Sequence, residues 1–108
     1  MIAKIATRPA DARVTLAQIG RMTLARVGAR EYLRDDRDGI LTFRVGMGPT
    51  LRKVIVRLAA DDTYRVEVGR MPRRGAAAFT WIVEGVAEGV YAEQLAETVE
   101  ALYNEAVR

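Results

Sequence analysis

Apolar and polar residues alternate through the middle of this chain and recur every three or four positions toward its ends. That pattern predicts a sheet flanked by helices. In residues 40–46, Leu41, Phe43 and Val45 fall on one face and Thr42 and Arg44 on the other. Residues 53–58 repeat the alternation with Val54, Val56 and Leu58 inward, and residues 64–69 do so with Tyr64, Val66 and Val68. Phe79, Trp81 and Val83 alternate again, which predicts a fourth strand over residues 77–84. Successive period-two segments joined by short turns imply an antiparallel meander with one wet face. Its first connections are residues 46–51, containing Gly48-Pro49, and residues 60–63.

Helical spacing brackets this sheet. Residues 10–19 place Val14, Leu16 and Ile19 at helix-compatible spacings, with Pro9 suited to the first helical position and Gly20 to the C-cap. Residues 21–33 fit either a short second helix or an irregular strand, and Gly28 interrupts both. Residues 34–39, Arg-Asp-Asp-Arg-Asp-Gly, read as a turn. Residues 91–107 put Tyr91, Leu95, Val99, Leu102 and Ala106 on one stripe, with Glu93, Glu97, Glu100 and Glu105 elsewhere on the cylinder. The expected fold class is α+β, a single domain over residues 1–108. It consists of an N-terminal helix, a four-stranded antiparallel meander and a C-terminal amphipathic helix packed on one sheet face.

Composition narrows the chemistry. The chain has 108 residues, half of them apolar, and no cysteine or histidine. Serine is absent as well. A disulfide framework, a thiolate or imidazole metal site and serine- or cysteine-type nucleophilic catalysis therefore lie outside what these residues can do. The first residues lack the apolar run of a signal peptide, and the longest uncharged stretch, residues 75–83, is too short to span a bilayer. A cytoplasmic location without membrane association is expected. The net charge of +3 hides an asymmetry, since residues 1–74 hold sixteen of the seventeen Lys and Arg against eight acids, and residues 75–108 hold one base against six acids. Such a chain either ties its acidic tail to the rest or presents faces of opposite sign to partners.

Three segments carry a likeness to a known group. They are QIGRMTLARVGAREYL at residues 18–33, DTYRVEVGR at 62–70 and GVYAEQLAE at 89–97. Together they resemble a family of small proteins encoded by phages and mobile elements. The chain departs from that pattern with Val27-Gly28-Ala29 in place of Thr-Gly-Ala, and with ALYNEAV near its end in place of Thr-Gly-Leu-Tyr. The resemblance implies a phage or prophage origin, hence the cytoplasm of a bacterial host, and brings no catalytic residues with it.

Candidate sites follow from the register. If the valines point inward, Arg44, Lys53, Arg57 and Arg65 project together from the other face, with Arg70, Arg73 and Arg74 on the adjoining loop. Clustered cations of this kind bind phosphate with salt-sensitive affinity. Against that stand Ile55 and Glu67 on the same face, the absence of an interleaved aromatic, and the simpler account of a charged face that blunts aggregation. Asp35, Asp36 and Asp38 before Gly39 lack calcium-loop spacing, because Arg34 and Val45 stand where oxygen ligands are needed. Gly46-Met47-Gly48 lacks the Gly-Lys-Ser or Gly-Lys-Thr of a phosphate loop, and Asp61-Asp62 is a wet turn. Phe79 and Trp81 are expected in the core with Tyr91, while the exposure of Tyr103 is left open.

The expected function is a non-enzymatic interaction module of a phage or mobile element that binds nucleic acid through the basic sheet face and loop, with no cofactor and no metal. Two alternatives remain at this point: an inhibitor of a host defence complex, in the manner of an anti-CRISPR protein, and an accessory protein that assembles as a homodimer.

Overall fold

The computed structural model describes residues 8–108, so the first seven residues, and the expectation placed on them, lie outside the described part. The first helix, α1, is Ala12–Ile19. It starts two residues later than the spacing predicts, because Asp11 caps it: the Arg13 backbone N–H donates to the Asp11 carboxylate at 2.9 Å. Pro9 therefore precedes the helix. Gly20, at φ +89°, ends α1 and at once opens a second short helix, α2, Arg21–Arg26.

Five strands follow rather than four, and each pairs antiparallel with the next in chain order. They are β1, Arg30–Asp35; β2, Ile40–Val45; β3, Arg52–Leu58; β4, Tyr64–Arg70; and β5, Ile82–Val90. The additional strand is β1, which begins in the segment that the sequence left ambiguous and runs through residues 34 and 35 of the expected turn. Its alternation is hidden for two reasons. It is an exposed edge strand, and it is bulged between Arg30 and Leu33, where Glu31 takes φ +55°.

The last strand is displaced from its expected place at residues 77–84. Residues 71–81 form a loop in which Phe79, at φ +61°, donates its N–H to Pro72 O at 2.6 Å. Phe79 is 73% exposed and Trp81 only half-buried, so neither is a core residue. Gly85 and Gly89 lie within β5. Two irregularities in register against β4 explain why the strand shows no steady period of two.

The core lies on one side of the sheet. Leu41, Phe43, Val45, Val54, Val56, Val66 and Val68 are all fully buried there, each side chain contributing about 1.5–3 kcal/mol by leaving water. The closing helix α3, Leu95–Ala106, packs on β4 and β5 and against α1. Its buried stripe is Leu95, Val99 and Tyr103. Tyr103 is thus inside, its hydroxyl donating to Thr50 O at 3.3 Å, while Tyr91 precedes the helix and is 57% exposed. Tyr64 Oη donates to Gln18 Oε1 at 2.5 Å and ties α1 to the sheet, and Arg26 grips Glu100 at 3.0 and 3.1 Å to tie α2 to α3. The molecule measures 38 × 38 × 21 Å, a thickness that holds one helical layer and one sheet. Among the described residues no element covers the second face of the sheet.

Candidate nucleic-acid interface

Cross-strand registers arrange the uncovered face in rows. Residues directly opposite each other project to the same side, so the pairings Arg30↔Arg44, Arg44↔Lys53, Lys53↔Gly69 and Gly69↔Val83 define one row. Leu33, Thr42, Ile55, Glu67 and Val86 form the next, and Asp35, Ile40, Arg57 and Arg65 a third. The first row places three cations on three adjacent strands, spanning about 10 Å at the ~4.8 Å strand spacing. The middle row is mostly apolar.

Trp81 reaches this face from the loop. Its ring edge lies against Gly69, where any added Cβ would collide with it, and its Nε1–H donates to Glu67 Oε2 at 3.4 Å. Glu67 is 7% exposed and also accepts from Arg65 Nε at 2.9 Å. The carboxylate thus holds the indole at the end of the cationic row, about one strand beyond Lys53. Alternation alone shows no aromatic interleaved with the basic residues; the fold brings Trp81 beside them.

The seven candidate cations fall into distinct environments. Arg65 is neutralised by Glu67 and Glu88. Arg44 Nε lies 3.4 Å from Glu31 Oε2, both groups well exposed, a pair worth little in water. Lys53, Arg57, Arg73 and Arg74 have no ion-pair partner among the described residues. Arg57 is half-buried, and its Nε has no hydrogen-bond partner. Arg70 belongs to β4 rather than to the loop, and shares the parity of the buried Val66 and Val68. It turns toward the helix side at the sheet rim, 3.6 Å from Glu84. Arg44, Lys53, Arg70 and Arg73, joined by Arg52, surround a recess of about 160 Å³ at that rim. Arg57, Arg65 and Arg74 do not line it.

Three participants escaped the sequence reading. Arg30 was hidden with β1. Trp81 looked like core because it alternates with Phe79 and Val83. Arg52 stands at an inward position opposite Val45, where a charge is unexpected; that anomaly is the signal that could have exposed it. The acidic tail is largely engaged within the chain, since Glu84 meets Arg52 and Arg70, Glu88 meets Arg65, and Glu100 meets Arg26.

Titration is perturbed elsewhere. The Arg34 and Arg13 guanidinium groups hold the Asp36 and Asp11 carboxyls below the usual carboxylate range, and the Thr63 hydroxyl does the same for Asp61. Asp61 is thus a turn residue whose carboxylate accepts from the Thr63 N–H and hydroxyl at 3.1 and 2.7 Å. Burial raises the Tyr32 phenol, whose ring packs 5.6 Å from that of Phe43. Among the described residues no three acidic side chains gather to hold a metal ion, and no helix is long and apolar enough to cross a membrane. No protein-family model, curated protein or solved structure matches the chain.

Proposed function

We propose that the uncovered sheet face binds single-stranded nucleic acid, with phosphates along Arg30, Arg44 and Lys53 and a base against Trp81. The observation that carries this reading is the row itself: three adjacent cations, opposed among the described residues only by Glu31, ending at an indole. Cations supply affinity through counterion release, and an aromatic face accepts any unpaired base. A five-stranded sheet is too broad for a duplex groove, which admits a helix or a two-stranded ribbon. A single strand needs no groove. The surrounding apolar positions, Ile55 and the 47%-exposed Val86, offer further contact to unstacked bases. The protein acts here as a binding module and transforms nothing, in keeping with a phage-encoded accessory role.

Fluorescence anisotropy with single- and double-stranded oligonucleotides tests it. Single strands should bind more tightly, and three phosphate contacts give a log–log salt slope of about −2. Quenching of the sole tryptophan, Trp81, should accompany binding. Absence of binding to any single strand at about 50 mM salt would refute the reading.

A further inference from the structure

The rim recess is chemically unlike the row beside it. Arg44, Arg52, Lys53, Arg70 and Arg73 converge on it, while Glu84 and Glu31 are the only carboxylates paired with any of them among the described residues. Five cations against two carboxylates leave three positive charges around one small concavity. From this geometry we infer that the recess is a site for a phosphate monoester dianion. Resting on the strand-binding reading above, it seats the phosphorylated end of a bound strand.

Charge favours a monoester over an internal linkage. A phosphodiester brings a single negative charge, whereas a terminal phosphate carries about −1.5 to −2 at neutral pH and presents three free oxygens. The recess, about 160 Å³, has the volume of roughly five water molecules at ~30 Å³ each, room for one tetrahedral oxyanion with part of its hydration.

Arg52 supplies a fixed wall. Its side chain is 11% exposed. Its guanidinium donates to Pro49 O at 3.0 Å, Leu51 O at 2.9 Å and Ala106 O at 3.3 Å, so three backbone carbonyls hold it in place. Its Nε lies 2.5 Å from Glu84 Oε1, an ion pair that fixes the guanidinium from a fourth side. Arg70 and Arg73, both more exposed, can close on the anion from the solvent side.

The experiment compares three otherwise identical fluorescent oligonucleotides, bearing a 5′-phosphate, a 3′-phosphate, or hydroxyls at both ends. In parallel, inorganic phosphate is titrated while the arginine Nε–H signals are followed by NMR. One phosphorylated end should bind about tenfold more tightly than the hydroxyl-ended strand, the increment expected of charge-assisted hydrogen bonds. Inorganic phosphate should compete for that increment and shift the signals of Arg52, Arg70 and Arg73. Arg73→Ala, an exposed loop change that spares the core, should reduce the preference for the phosphorylated end. Equal affinity for all three oligonucleotides overturns the end-seating while leaving the sheet-face reading intact. Phosphate shifts without binding of any oligonucleotide keep the dianion site and remove the nucleic acid. Unperturbed arginine signals at saturating phosphate overturn the site itself.

Discussion

The two faces of this sheet are built from the same strands, one residue out of phase, and they obey different physics. Toward the helices, Leu41, Phe43, Val45, Val54, Val56, Val66 and Val68 are at most 2% exposed. There, volume is the constraint, because a close-packed interior has no atoms to fill a gap. On the other face Arg30, Arg44, Lys53, Arg57 and Arg65 stand among Leu33, Ile55 and Val86, and the constraint is charge. Like charges on neighbouring strands are tolerated there because water screens them. The comparison separates residues that hold the fold from residues that the fold merely displays.

The largest expected effect lies on the packed side. Phe43→Ala should cost about 3–5 kcal/mol in urea unfolding, the usual loss for a buried aromatic with a cavity left behind. Ile55→Thr, on the same sheet but facing outward, should stay within about 1 kcal/mol. Similar losses at both positions would erase the distinction between the faces.

Gly46→Ala should come next, at about 1–3 kcal/mol. Gly46 sits at φ +71°, and an added Cβ would meet Thr50 O and the Tyr103 hydroxyl. The change breaks the junction where the β2–β3 connection passes beneath α3, and thermal unfolding would register it without involving the open face.

Removing cations from the open face should reverse the pattern. Arg30→Ala, Arg44→Ala and Lys53→Ala should each weaken single-strand binding about three- to tenfold and flatten the salt slope by about 0.7, with unfolding midpoints little changed. Arg57→Ala, in the third row, should matter less for binding. If Arg57→Ala proves the most damaging for binding, the rows have been assigned the wrong weights.

The smallest effect concerns acid. The Asp11, Asp36 and Asp61 carboxyls are held below their ordinary values in the folded chain, so the unfolded chain binds more protons in the interval between. Their contribution is present above about pH 4 and is lost as pH falls through the depressed folded values. Urea midpoints should therefore drop between about pH 5 and about pH 3, and less so in Asp36→Asn. Asp11 and Asp36 accept N–H groups at the start of α1 and Asp61 accepts from Thr63 in the turn between β3 and β4, so the acid sensitivity should track the α1 cap and that turn.

Legibility varied with burial. Leu41 to Val45, Val54 to Val56 and Tyr64 to Val68 could be read because one face of each strand is buried, which imposes a strict period of two. β1 could not, since an edge strand with a bulge at Glu31 has no buried face to impose the period. β5 was placed too early because Phe79, Trp81 and Val83 alternate by accident of a loop, whereas the true strand slips register against β4. Of the cationic row, Arg44 and Lys53 were legible from alternation, and Arg30 became visible only with its strand. Trp81 was misread because an aromatic beside valines looks like core until the chain is known to reverse at Phe79.

Local pattern by itself determined that this chain forms a meander with an amphipathic closing helix, and which side of three strands faces inward. Those facts follow from the fixed periods of strand and helix together with the need to bury apolar surface. Only the tertiary structure decided that Arg30 lines up with Arg44 and Lys53, that Trp81 crosses to the wet face, and that Arg52 and Arg70 meet Arg73 at the rim. Such meetings depend on bulges, loop reversals and registers between distant segments, which leave no periodic trace in the order of the residues.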